Sequence, residues 1–254
     1  MIFSYRLWTL RDSAEAALYI KLRDQLGLLH TGLWRRHHLD PRTMSGYVIT
    51  YFPLRGRSEV IRLLLADQGA SWTDEDVPIA DWFAGKCDLK KEAVFGQLPQ
   101  FKDGDFVLYQ SNSILRYLGR KYGIAGGSNE ESALIDMVND GVEDLRVKFN
   151  RMYFYEFETG KEKYEKDLPN HLSPFEKILS QNDKGTKYVV GEKISYADYS
   201  LLDLLHGHLH VFPACLSSFP LLTAYIDRVS SRPKLNEYFK SDARNNRPIM
   251  PKNE

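Results

Sequence analysis

Cysteine is scarce in this chain of 254 residues, with only Cys87 and Cys215 present. Two cysteines cannot make a disulfide framework, and the pattern suits a reducing compartment. No uninterrupted apolar run approaches the roughly 18 residues of a membrane-spanning helix, so no membrane partner is expected. Neither sign of charge is in surplus, with 34 Lys and Arg against 34 Asp and Glu, which argues against a general nucleic-acid binder. With 11 prolines and 17 glycines the chain is neither collagen-like nor of low complexity. Phosphate loops, dinucleotide fingerprints and paired-cysteine zinc motifs are missing. A C-x-x-C pair is missing as well, so dithiol redox catalysis is not expected. His206, His208 and His210 do not make a metal site: on a helix His208 faces away from the other two, and no carboxylate stands at ligand spacing. His37-His38 is a weaker signal still. What is present, 43% hydrophobic and 27% charged residues, describes a soluble, globular, cytoplasmic protein.

The chain is not uniform. Residues 1–43 hold seven basic and four acidic residues. Asp12 and Glu15 form a capping-box pattern, and Leu18, Leu22, Leu26 and Leu29 share one helical face. The segment lacks a clean targeting pattern. A membrane-surface helix competes with a poorly ordered appendage upstream of Met44, and we favour the appendage.

From residue 46 the punctuation becomes regular. Tyr47-Val48-Ile49-Thr50-Tyr51-Phe52 is rich in aromatic and β-branched residues and predicts a strand ended by Pro53. Arg55-Gly56-Arg57 makes a turn. Ser58 is the expected N-cap of an apolar helix that stops at Gly69. Trp72 to Ile79 predicts a second strand, parallel to the first because a helix connects them. A looser stretch runs from Ala80 to Phe95. Asp103-Gly104 predicts a tight hairpin between Gln100-Phe101 and Phe106-Val107-Leu108-Tyr109, followed by a helix from Ser111 toward Gly123. The order is β-α-β, then β-β-α.

Residues 124–128 read as a linker, and no hairpin signal recurs beyond it. Leu134, Met137, Val138, Gly141, Val142 and Leu145 follow a helical period in a segment continuing past Tyr153. A second helix ends near Leu179. Ser195 and Asp198 form a capping box, with Ile194 placed to staple against Tyr199. Pro220, Pro233 and Pro248 punctuate shorter helices. A small α/β domain precedes an all-α domain.

Four segments then carry a resemblance: Tyr51-Phe52-Pro53-Leu54-Arg55-Gly56-Arg57, Gly96-Gln97-Leu98-Pro99, Tyr109-Gln110-Ser111-Asn112-Ser113-Ile114-Leu115, and residues 136–144 (DMVNDGVED). In this order they resemble the cytosolic glutathione S-transferases, most of all the pi class. The resemblance covers residues 44–254 and leaves the extension 1–43 without counterpart. It implies a thioredoxin-like domain over 44–123, the linker 124–128 and an all-helical domain over 129–254. It also implies a cytoplasmic homodimer that conjugates glutathione to hydrophobic electrophiles, with glutathione as co-substrate and no further cofactor.

That chemistry needs a thiolate at neutral pH, where only a few per cent of a free thiol is ionised. A hydroxyl that donates a hydrogen bond to sulfur favours the anion. By itself Tyr51, at the end of the first strand, reads as a buried strand tyrosine; the resemblance matches it instead to the family position with that role. Leu98-Pro99 is trans by base rate, whereas the resemblance makes it cis and turns the Leu98 backbone toward the cysteinyl part of glutathione. Gln110 and Ser111 precede a helix, whose free N–H groups and dipole suit an anion; the resemblance puts the γ-glutamyl carboxylate there. Arg57, Trp82, Lys90 and Gln97 match positions that hold the ends of the tripeptide, and without the match each reads as a surface side chain. Asp144 matches an acidic residue that reaches the neighbouring subunit's ligand.

Several positions depart from the pattern. Residues 85–93 make a longer loop than in mammalian members, and Ala93 stands where those carry a reactive cysteine. Cys87 lies nearby among Lys86, Lys90 and Lys91, either as a reactive thiol or as an inert one. Phe95 occupies the aromatic "key" of the subunit interface. Phe52, Leu54, Asn150 and Phe154 are the expected wall of the electrophile pocket, with Phe154 replacing a tyrosine; Tyr153 and Tyr155 are expected to point elsewhere. Met250 and Pro251 also differ from the mammalian wall. The rival reading is a ligand-binding or regulatory protein of the same fold without catalysis.

Overall fold

The computed structural model describes residues 46–250. The readings made on residues 1–43, on Met44 and on Pro251 lie outside the described residues.

Strand β1 (Tyr47–Tyr51) is the inner strand that its aromatic and β-branched residues predict, with Ile49, Thr50 and Tyr51 all buried. A turn of 3₁₀ helix at Gly56–Ser58 leads into α1 (Glu59–Gln68). Ser58 sits at the N-cap position, but its hydroxyl makes no capping bond and is buried without a partner. The 3₁₀ turn already holds Ser58 near helical dihedrals, and an N-cap side chain reaches back to its helix only from an extended backbone. Gly69 ends α1 in the left-handed conformation, at φ 68°.

β2 (Trp72–Asp76) runs parallel to β1, pairing Tyr47 with Trp72 and Tyr51 with Asp76. It is three residues shorter than expected, because Pro78 cannot donate to a ladder and instead precedes α2 (Ile79–Phe83). The stretch read as loose contains α2 and the single turn α3 (Leu89–Glu92). β3 (Gln100–Asp103) and β4 (Phe106–Tyr109) form the hairpin, and the sheet order is β2-β1-β3-β4. Asp103 pairs with Phe106, so the two turn residues are Gly104 and Asp105, one place later than the Asp-Gly signal suggested. Helix α4 (Ser111–Lys121) closes this half.

The rest is helical: α5 (Asn129–Tyr155), α6 (Phe157–Gln181), α7 (Tyr196–Val211), α8 (Pro220–Ser230), α9 (Pro233–Lys240) and α10 (Asp242–Asn245). Ser128 caps α5 by accepting the Glu131 N–H at 3.1 Å. The box opening α7 forms as read: Asp198 accepts the backbone N–H and the hydroxyl of Ser195, the Val189 N–H and the Tyr225 hydroxyl. Pro220 and Pro233 stand at helix starts, where a missing N–H costs nothing. Helix α7 is apolar on most faces and correspondingly buried through most of its length.

One expected core face divides. Val138, Val142 and Leu145 of α5 are buried along with Ile135 and Phe149, but Leu134 and Met137 are half exposed. The stripe toward α7 passes through Ile135 instead, and leaves a second apolar stripe uncovered. The two halves meet where Asp67 of α1 accepts the Tyr199 hydroxyl of α7 at 2.6 Å and pairs with Arg232 at 2.8 Å. No helix among the described residues is long and apolar enough to cross a membrane.

Candidate active site

Tyr51 ends β1 with its ring buried and its hydroxyl near the loop that follows. Its oxygen accepts the backbone N–H of Arg57 at 3.1 Å. Burial pushes the phenol above its ordinary pKa, partly offset by that N–H and by the guanidiniums of Arg57, Arg62 and Arg146, so the hydroxyl keeps its proton at neutral pH. The loop wraps the ring closely. Gly56 has φ 43°, and a Cβ there would stand 2.8 Å from the Tyr51 oxygen and 2.5 Å from Leu54 Cδ1.

Tyr51 opens onto a cavity of about 530 Å³ between the sheet half and the helical half. All four expected wall residues, Phe52, Leu54, Asn150 and Phe154, line it. Tyr155 lines it too, contrary to expectation; it is the last residue of α5, 85% exposed, and the backbone leaves the helix at Glu156. Tyr153 packs on Phe149, Phe154 and Phe157 and is not among the lining residues. The sequence reasoning missed Ile79 and Phe83, which α2 delivers; the apolar spacing of Ile79, Trp82 and Phe83 after Pro78 was the signal. It also missed the polar lining: Arg55 stood in a quoted motif without a role, and Arg146, Asp203, His206 and Arg244 belonged to none. Met250 closes the cavity, on a segment whose Pro248 and Ile249 carbonyls accept the N–H groups of Arg55 and Gly56 at 2.8 and 3.2 Å.

The residues expected to hold a tripeptide fall as follows. The Leu98–Pro99 peptide bond is cis. Gln110 and Gln97 are joined by a hydrogen bond of 3.1 Å from Gln110 Nε2 to Gln97 Oε1. Gln110, not Ser111, occupies the N-cap position of α4, at φ 70° and ψ 111°, a conformation that a residue with a Cβ rarely adopts. Ser111 is the first helical residue and is buried. No side chain caps this end and no acidic residue lies in its first turn, so the N–H groups and dipole face outward unopposed. Trp82 is not a surface side chain: it is buried with Val77 and Ala93, since α2 turns its indole inward. Lys90 lies over the Trp82 and Phe83 rings and donates to the Trp82 carbonyl at 3.2 Å. Arg57 pairs with Glu143 at 2.8 Å, tying the loop to α5, and the neighbouring Asp144 is exposed.

Cys87 is half-buried beside the Trp82 cluster, and Phe95 is 63% exposed. Among the described residues no three His, Cys, Asp or Glu side chains gather as a metal site requires. His208 is spent in the core, its Nε2 2.9 Å from the Tyr164 hydroxyl and its Nδ1 2.8 Å from the Leu204 carbonyl.

Comparison with known proteins agrees with this geometry. Residues 47–120 match the glutathione S-transferase N-terminal domain family, and residues 143–242 match the C-terminal domain family. Glutathione S-transferase P 1 of Xenopus laevis is 66% identical over 209 residues, 82% of this chain and 99% of that protein. Glutathione S-transferase P of Homo sapiens is 52% identical over 206 residues, 81% of this chain and 97% of that protein. Among solved structures, the Pi-class glutathione S-transferase of Onchocerca volvulus superposes with a TM-score of 0.76 at 41% identity, covering 82% of this chain and 98% of its own.

Proposed function

The chain belongs to the glutathione S-transferase family, and on that premise we propose that it joins the sulfur of glutathione to electrophilic carbon in hydrophobic small molecules. The observation that carries the reading is Tyr51: a protonated phenol whose oxygen is already occupied as an acceptor, leaving its O–H free to donate toward the cavity. A thiol entering the cavity loses its proton to solvent, and the Tyr51 O–H donates to the resulting thiolate. The sulfur lone pair then forms the S–C bond. With an aryl halide, the halide leaves with the C–Cl electron pair. Holding both reactants in one cavity supplies much of the acceleration.

In this reading Gln110 and Ser111 receive the γ-glutamyl carboxylate at the start of α4. The Leu98 backbone before Pro99 pairs with the cysteinyl unit, and Arg57, Trp82, Lys90 and Gln97 hold the rest. Asp144 serves a second copy of the chain. The exposed Phe95, Leu134 and Met137 support a homodimer, since nothing among the described residues covers their apolar surface. Glutathione is the co-substrate, no other cofactor is called for, and the cytoplasm, with its reduced thiol pool, is the fitting compartment.

The test is turnover of a chlorodinitrobenzene with glutathione by the full chain, compared with Tyr51→Phe. Removing one stabilising donor should lower kcat roughly 100-fold. Glutathione affinity, measured by calorimetry, should stay within a few-fold. Equal turnover in the variant would overturn the role of Tyr51. Absence of turnover in the unaltered chain would favour the ligand-binding alternative.

A further inference from the structure

The cavity's polar floor has a charge imbalance that the transferase chemistry does not use. Arg146 pairs with Asp203 at 2.8 Å, and Arg57 pairs with Glu143 at 2.8 Å. Deeper, Arg244 takes Glu59 at 2.8 Å and Arg62 takes Asp74 at 2.9 Å, and nearer the surface Arg247 takes Asp76 at 2.7 Å. Every carboxylate of this network is claimed. Arg55 is left over: no carboxylate among the described residues lies within 4 Å of its guanidinium. Among the described residues that guanidinium donates only to the Arg244 carbonyl at 3.4 Å, and its Nε is buried without a partner. Burial, reinforced by the neighbouring Arg244, presses the Arg55 guanidinium below its ordinary pKa, and the more distant carboxylates of Glu59 and Asp203 offset this only in part.

His206 stands on the same floor, its ring packed against Phe239 and its nitrogens without a partner among the described residues. Burial holds its imidazole down to about 4, so at neutral pH it offers one N–H donor and no charge. Facing this floor are the apolar walls of Phe52, Leu54, Ile79, Phe83 and Phe154.

We propose that Arg55, with His206 beside it, is a subsite for an acidic group, and that the preferred second substrate is an apolar electrophile bearing a carboxylate. The apolar walls take the body of the molecule, and the carboxylate neutralises Arg55 and accepts the His206 N–H. A charge-assisted bond of this kind, in a partly dry site, outweighs the same contact made by an ester. The proposal rests on the transferase reading and narrows it to a class of electrophile.

The test uses a matched pair, a chlorodinitrobenzoate and its methyl ester. The full chain is assayed with glutathione, and each kcat/KM is divided by the uncatalysed rate of the same compound. The acid should exceed the ester about tenfold or more. Arg55→Met should bring that ratio to about one, and Arg55→Lys should restore part of it. A dinitrobenzoate lacking the halide, and its ester, are titrated calorimetrically in parallel, where the acid should bind about tenfold more tightly. An ester equal to or better than the acid in the unaltered chain overturns the subsite and needs no variant, while its turnover still upholds the transferase reading. If neither compound is turned over, the transferase reading falls and the calorimetric pair decides the subsite alone.

Discussion

The Tyr51 hydroxyl receives its hydrogen bond from the main chain of Arg57, six residues further on, at 3.1 Å. The donor is a backbone N–H, so the contact survives side-chain replacement at 57, and it fixes the direction in which the phenolic proton points. The same residue's guanidinium is held by Glu143 on the helical half. The acidity of a thiol bound here therefore depends on a loop anchored from both sides.

Gly56 is the tightest point of that loop. Gly56→Ala places a methyl against the Tyr51 oxygen and ring at a positive φ, and should destabilise the fold by roughly 1–3 kcal/mol. It should also raise the pKa of the bound thiol, because the phenol is displaced. Denaturant titration gives the first quantity, and the pH dependence of thiolate absorbance in the glutathione complex gives the second.

Acid should weaken the helical half through its histidines. Burial lowers His208 to about 4, below the ordinary value of 6.5. The unfolded chain thus binds the proton more readily than the folded one. Stability is whole above pH 6.5 and falls as pH drops from there toward 4, by up to about 3 kcal/mol for His208. Lowered to the same value, His206 acts in the same direction. Urea midpoints measured across that window should shift less in His208→Gln than in the unaltered chain.

Asp67→Ala removes the acceptor shared by Tyr199 and Arg232, leaving a half-buried guanidinium without its anion. Loss of one partner from such a pair costs about 3–5 kcal/mol. Equilibrium unfolding should show the whole of this loss, since Asp67 joins the two halves.

If the proposed homodimer is anchored by Phe95, Phe95→Ser should leave the protomer folded and loosen that association roughly 100-fold, as removal of a central aromatic anchor does. Sedimentation velocity over a concentration series would show it, and a dimer of unchanged affinity would rule out Phe95 as the anchor.

The strands and helix starts were legible because their signals are local. Val48, Ile49 and Thr50 favour a strand, Ser195 and Asp198 cap a helix, and Pro220 and Pro233 open two more. Where the sequence misled, a neighbour outvoted a propensity. Ser58 would cap from an extended backbone, but the 3₁₀ turn had already curled it. Leu134 and Met137 share a helical period with Val138, yet only the Ile135 side meets α7, because burial depends on what lies opposite. Tyr51, Phe52 and Leu54 could be placed in a pocket from their motif. Arg55 lies in the same motif, but His206 and Arg244 stand about 150 and 190 positions beyond it, and only the closed fold gathers the three into one floor.

The pairing of the Arg55 and Gly56 amides with the carbonyls of Pro248 and Ile249 has a bearing on biosynthesis. A ribosome releases Tyr51 some two hundred residues before it makes the strap that braces it. The sheet can assemble early, but the loop over the phenol waits until Pro248 and Ile249 have been made. Conjugating power should therefore appear only once those residues have emerged, and a nascent chain paused short of Pro248 would carry Tyr51 in an unfinished setting.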